Sequence, residues 1–407
     1  MSAPVQVMVL DLAAVVPYYT AHLCAALRRC PGVETRLASI TYQYDPECFR
    51  RFGVCNRPGL LDLTWRLRRL PASLRRALKL AECLINMTAL WIRFALARPD
   101  ILHVQFLALT GNRIPGEALW LRAVRALGIR VVYTVHNVLP QDPRPGDRAN
   151  YRRVYGLADR FVCHDDTAAR RMTTEFGVGA ARISVIPHGP LFEPRGAANV
   201  AEARQRLGFV EDDCVVLWQG IVRPYKGLSF LLQAWKRLCA EPHRGSLAIV
   251  GTGAPEMLRA VEEEVSELAL ASTVRLELRF VSLAELAAWH AAADVLVYPY
   301  REITTSGALL TGIVWGKAVV ATRLPAFERL LNDGESALLV PCGDVDALAR
   351  SLRRVIEEPL LRRELGARLA LRQSAIPRWR EIAERTHEAY ASVVCESPGF
   401  TSQAAST

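Results

Sequence analysis

The sequence lacks paired cysteines: it has ten, but no C-x-x-C. That excludes the common zinc clusters and gives no disulfide framework, so a reducing cytoplasm is the expected setting. Long apolar runs are missing too. No window supplies the roughly 18 uninterrupted apolar residues of a spanning helix. The first residues carry no basic start and Asp11 interrupts the first apolar run, so no secretory leader is expected. A clustered acidic metal motif is also absent. His164-Asp165-Asp166 comes nearest, but Asp166 or Thr167 reads more simply as the cap of the helix that follows. Neither a metal nor a cofactor is expected. Acid is short overall: 41 Asp and Glu against 51 Lys and Arg leave a net charge of +10. A surplus of that size calls for an anionic partner or surface.

What is present is a chain of 407 residues, 51% hydrophobic and 23% charged, long enough for two globular cores. Short apolar runs at Val5–Leu10, Val33–Ile40, Ile101–Gln105, Val131–Val135, Arg160–Cys163 and Ile183–Ile186 predict one set of strands. Runs near 214, 246, 273, 294, 318 and 337 predict a second. Helical patterns alternate with both sets, which is the signature of α/β parallel sheets covered on both faces. We expect a first domain over 1–189 and a linker rich in Pro, Gly and Ala over 190–209. A second domain follows over 210–376, and then a helix over 377–396. The polar tail 397–407 is expected to be disordered.

The most informative stretch is Trp218 to Gly227, W-Q-G-I-V-R-P-Y-K-G. A buried strand precedes it, and Leu228, Leu231, Leu232 and Trp235 follow at helical spacing. Gly220 to Gly227 is therefore a strand-to-helix turn at the end of the sheet where ligands bind. Arg223 and Lys226 place a fork of donors and a point charge there, a pair suited to pyrophosphate. A second such turn follows the strand D-V-L-V-Y-P. Thr304, Thr305, Ser306 and Gly307 lie where a helix begins, and Gly316 where it ends.

These motifs in this order, G-x-x-R-x-x-K-G, then V-G-T-G, then a strand ending Y-P, then G-K-A-V-V-A-T, resemble family 4 of the retaining GT-B glycosyltransferases. The resemblance implies two doubly wound Rossmann-like domains facing a cleft, with the C-terminal helix crossing back to the first domain. It implies a metal-independent hexosyltransferase that uses a nucleotide-sugar donor and retains anomeric configuration. Gly220, Arg223, Lys226, Glu302, Thr305, Ser306, Gly307 and Thr311 would bind the donor, and His136, Arg223 and Lys226 would be the catalytic residues. His136, in T-V-H-N at the end of a strand, would lie beside the donor sugar, and His188 would lie at the interdomain edge. Two family glutamates are missing. Their places are Ile303 and Thr311; Glu302 is one position early, and Thr311 offers only a hydroxyl. Glu328 is a further candidate for a sugar or ribose contact. The glutamate motif marks a divergent branch. The family's glycine pair in the first turn is Ala13-Ala14 here.

Residues 50–79 hold nine Arg or Lys and one acid, Asp62, interleaved with leucine. This basic amphipathic pattern suits anionic lipid headgroups. Aromatics for base stacking are sparse, so no nucleic acid is expected. The reading that emerges is a hexosyltransferase for a glycan or lipid-linked acceptor, peripheral on the inner face of the cytoplasmic membrane, acting in polysaccharide biosynthesis. A non-catalytic glycosyltransferase-like subunit and a nucleotide-sugar epimerase are the alternatives.

Overall fold

The structure, a computed structural model, describes residues 3–57, 60–67, 70–111, 114, 116–140, 143–192, 199–210 and 212–395. Arg68, Arg69 and the tail 397–407 lie outside the described residues. The chain divides into two compact units, Met1–Gly189 with Pro377–Thr407, and Pro190–Ile376.

The first unit is built on β1 (Val5–Asp11), β2 (Val33–Ser39), β3 (Ile101–Phe106), β4 (Arg130–Val135), β5 (Arg160–Cys163) and β6 (Ile183–Val185). All pairings are parallel, in the order β2-β1-β3-β4-β5-β6. The chain runs outward from β1 to β2, then returns to continue from β3. The junction of β1 and β3 is thus a topological switch point, where neighbouring loops diverge and open a crevice at the carboxyl ends. Helix Pro17–Leu27 starts at a proline, which suits the first helical position. The C-terminal helix, Trp379–Cys395, packs on it and sits within this unit.

The second unit repeats the plan with β7 (Cys214–Gln219), β8 (Gly245–Val250), β9 (Val274–Glu277), β10 (Val295–Tyr298), β11 (Ala318–Thr322) and β12 (Leu338–Val340). Its order is β12-β11-β10-β7-β8-β9, so the switch point falls between β7 and β10. Every residue of β7 is buried, as a central strand covered on both faces requires. The expected linker is only partly a linker. Residues Val200–Leu207 form a helix capped by the Asn199 side chain, which accepts from the Glu202 amide at 3.2 Å. Arg204 ties this helix into the second unit by bonding the Asp294 carboxylate and the Ala292 carbonyl.

Candidate active site

In the second unit the two loops singled out in the sequence meet at the switch point. After β7 the chain makes a short turn over Pro224–Lys226 and enters helix Leu228–Leu238 through Gly227, whose φ is +67°. A Cβ at Gly227 would run into the carbonyl oxygen of Pro299, just past β10. Only glycine lets these loops approach so closely. The Arg301 amide then donates to the Tyr225 carbonyl at 2.7 Å, which locks them together.

Lys226 is half-buried in this junction. Its ammonium lies 5.7 Å from the centroid of the Trp218 ring and 5.5 Å from that of Tyr300. The π-faces compensate part of the lost hydration. Burial, and secondarily the charge of Arg223, push its pKa down to about 8. It remains protonated at neutral pH. Arg223 is exposed, and among the described residues neither cation has a carboxylate partner. Two cations held together without a counterion form an anion site.

Gly220, at φ +144°, is part of the same device. A Cβ there would occupy the place of the Lys226 ammonium. Gly220→Ala is therefore expected to displace the ammonium and weaken nucleoside diphosphate affinity, by less than Lys226→Ala, and to add little in the double variant. Calorimetric titration of the three variants checks this; wild-type affinity in Gly220→Ala would separate the glycine from the ammonium.

The second loop contributes less than its sequence suggests. Helix Gly307–Ile313 begins after Ser306, whose side-chain oxygen accepts from the Leu309 amide at 3.1 Å. Thr304 and Thr305 precede it in the loop, and Gly316 lies past its end. Thr311 is wholly buried and donates to the Gly307 carbonyl at 2.8 Å. Its hydroxyl faces its own helix rather than a ligand, so Thr311 is withdrawn as a donor contact. Ile303 packs on the core. Glu302 is exposed and makes no ion pair among the described residues. Glu328 is exposed but bonds Arg323 at 3.4 Å.

The first unit supplies a cluster that sequence reasoning only half found. His136 follows β4 and His164 follows β5, adjacent strands in register. Their ring nitrogens, Nδ1 of His136 and Nε2 of His164, lie 3.1 Å apart. Tyr19, buried at the start of helix Pro17–Leu27, packs its ring on His136, His164, His188 and Trp379 at centroid distances of 4.8 to 5.2 Å. His188 also contacts its neighbour's carbonyl, Gly189 O, at 2.5 Å.

The hydrogen bonds fix the tautomers. The Ile186 carbonyl, 3.2 Å from His164 Nδ1, can only accept, so that nitrogen carries the proton. Burial holds His164 neutral by pushing its pKa down to about 4. Its Nε2 therefore accepts from His136 Nδ1–H. Burial, then the neighbouring histidines, likewise hold His136 well below its usual range. Its Nε2 is then a lone pair facing the Gln105 side-chain amide at 3.2 Å. In the structure the Gln105 carbonyl oxygen faces His136 and its amide nitrogen faces His103 Nε2, 3.1 Å away; the His136 lone pair calls for the reverse assignment of the amide, which turns its nitrogen toward His136 and its oxygen toward His103. His103 Nδ1 in turn accepts from the Tyr390 hydroxyl at 2.6 Å. With the amide so assigned, donors run from Tyr390 through His103 and Gln105 to His136, and the Thr134 hydroxyl also meets His103 Nε2 at 2.7 Å. A cavity of about 130 Å³ opens beside it, lined by Gln105, Tyr133, His136 and Tyr151 among others.

Asp11 ends β1 at this unit's switch point. It is fully buried, and burial raises its pKa to about 6 against the opposing bonds from the Val15 and Val16 amides. The turn it closes carries Ala14 at φ +47°, so the alanine adopts the left-handed backbone that glycine takes without strain. Asp165, not Asp166 or Thr167, caps the helix after β5, accepting from the Ala168 amide at 2.7 Å. Among the described residues no three His, Cys, Asp or Glu side chains are grouped to hold a metal.

Comparison with known proteins decides the family. Residues 16–189 match Glycosyltransferase Family 4, and residues 213–358 match Glycosyl transferases group 1. The chain belongs to glycosyltransferase family 4. This glycosyltransferase is 28% identical over 310 residues to a D-inositol 3-phosphate glycosyltransferase of Streptosporangium roseum, covering 72% of this chain and 69% of the relative. Its GT-B fold matches that of Anabaena HepE in complex with UDP-glucose, with a TM-score of 0.74 and 15% identity over 95% of this chain and 99% of the other. Sucrose-phosphate synthase from Thermosynechococcus elongatus gives a TM-score of 0.73 at 20% identity over 97% and 100% of the two chains. The enzyme is thus a nucleotide-sugar glycosyltransferase of the GT-B fold.

Proposed function

We propose that the enzyme moves a hexose from a nucleoside diphosphate sugar to a lipid-linked or polysaccharide-precursor acceptor, with retention and without a divalent metal. The observation that carries this reading is the pair Arg223 and Lys226, held at the β7–β10 switch point without a counterion. As the anomeric bond breaks, negative charge grows on the leaving diphosphate. Lys226, held in a half-buried site, stabilises that charge with little reorganisation, and the exposed Arg223 beside it adds a second cation. They supply electrostatically what a bound metal supplies in other transferases. Neutral His136, fixed as the Nδ1–H tautomer, offers a lone pair to a sugar hydroxyl that displaces the Gln105 amide. A bifunctional glutamate pair is not available for the sugar and ribose, so Glu302, the unpaired carboxylate of the second loop, is assigned the sugar hydroxyls.

The lipid-linked acceptor is supported by the charge of the basic segment, nine Arg and Lys against the single acid Asp62, which is buried against Arg57 at 3.0 Å. The test is product formation from a panel of nucleoside diphosphate sugars with lipid-linked acceptors in excess EDTA. Transfer persisting at the untreated rate, with the product anomer matching the donor, is expected. Complete loss of transfer restored by magnesium or manganese would overturn metal independence, and an inverted anomer would overturn retention.

A further inference from the structure

The long helix Ala72–Leu96 is apolar on two opposite faces. Cys83, Met87, Leu90 and Phe94 are buried in the core of the first unit. Half a turn away, Leu74, Ile85, Ile92 and Leu96 align along the outer face, and all four are exposed. Successive spacings of 11, 7 and 4 residues keep them within one narrow stripe of a 3.6-residue helix. Between them the stripe carries Leu78, Ala81 and Thr88 but no charge. It runs for about 33 Å at 1.5 Å per residue. Surface helices ordinarily put charge on this face, so an exposed apolar stripe of such length marks a contact surface.

Glu82 and Asn86 lie on one flank of this helix, and both are engaged. Asn86 pairs with both backbone groups of Leu61, accepting at 2.7 Å and donating at 2.8 Å. Glu82 accepts from the Leu63 and Thr64 amides and the Thr64 hydroxyl. The basic segment is thereby laid along the helix, with Leu63, Arg66 and Leu67 exposed beside the stripe. Arg76 and Lys79 are exposed on the helix itself, and Arg93 near its end. Arg66 and Arg93 thus flank the apolar stripe, with Lys79 and Arg76 further round the helix, while Asp62 and Glu82, the acids of residues 50–96, are buried. The helix is not long and apolar enough to cross a membrane, and no other described helix is either.

We propose that helix Ala72–Leu96 lies in the plane of an anionic bilayer surface, with its outer stripe among the acyl chains and the bordering cations at the headgroups. This rests on the membrane-borne acceptor proposed above and relocates the contact. The basic residues of 50–79 steer and hold, and the apolar residues of 74–96 insert. Binding therefore has a salt-sensitive part and a salt-resistant part.

The test is co-sedimentation with phosphatidylglycerol vesicles of wild type and of Ile85→Asp, Ile92→Asp, both at sites about half exposed, so that the core is untouched. Wild-type protein should bind at low salt and keep part of its binding at high salt. The double variant should bind about tenfold more weakly and lose the salt-resistant part, with an unchanged thermal midpoint. Transfer to a short, detergent-free soluble acceptor should be unchanged in the variant; its loss in wild type as well would fault the acceptor reading, not the helix. Wild-type vesicle binding by the double variant overturns the proposal. So does a wild-type protein that ignores vesicles but sediments as a dimer that the substitutions split, since the stripe would then be an interface between copies.

Discussion

Lys226→Ala is expected to lower catalytic efficiency about 10- to 150-fold, taking roughly 1.5–3 kcal/mol for a charge-assisted hydrogen bond and 1.4 kcal/mol per factor of ten. If the contact strengthens as charge develops on the leaving group, turnover falls as well as affinity. Arg223→Lys should also be impaired, because a point charge does not reproduce a bidentate fork. The pH dependence follows from the environment of Lys226. With its pKa near 8, the free enzyme loses this charge above about pH 8, so donor affinity should decline there in wild type. Lys226→Ala should lack that alkaline limb. Steady-state kinetics and nucleoside diphosphate titrations across pH measure both. Wild-type rate and affinity in the Arg223→Ala, Lys226→Ala double variant would take this loop out of the site.

Both parallel sheets were legible because their central strands are short apolar runs bounded by turn residues, the pattern of strands buried on two faces, while strands such as β2 and β9 interleave charged residues. The β7 turn was legible for a different reason: its glycines and cations lie within ten consecutive residues. The cluster around Tyr19 was not, because it is assembled from the ends of several strands and the C-terminal helix, up to about 360 residues apart. A usable signal did exist. His136 and His164 each directly follow a predicted strand, and adjacent parallel strands bring such residues together. The linker was misread where its composition hid a cap. Asn199 with Glu202 three residues later is a helix-start signature that alanine and glycine nearby obscured. The direction of the Thr311 hydroxyl depends on which face of a short helix meets the core, which no local pattern specifies.

Stability is expected to fall steeply as the pH drops from about 6.5 to about 4. His103, His188 and His290 are each pushed down to about 3, and His164 to about 4, in every case first by burial. Below their unfolded value of 6.5 the unfolded chain binds protons that the native state refuses, so stability is fully present above that value and drains away with acidification. One pKa unit is about 1.4 kcal/mol. One unit realised in each of the four rings removes about 5 kcal/mol, the size of many whole-domain stabilities. Asp11 opposes this, since its raised pKa makes the native state take up a proton between about 6 and 3.8. Buried Glu117, also raised, opposes it in the same way, while His136, held well below its usual range, adds a fifth ring to the histidines. Urea unfolding at a series of pH values measures the slope. His290 offers the cleanest dissection. It stacks on Trp315 at 5.3 Å, and neither ring nitrogen has a hydrogen-bond partner. His290→Phe keeps a ring in that place and deletes the proton acceptor. It should leave transfer unchanged and flatten the acid slope by one group's share. A slope identical to wild type would mean that His290 does not resist protonation inside the fold.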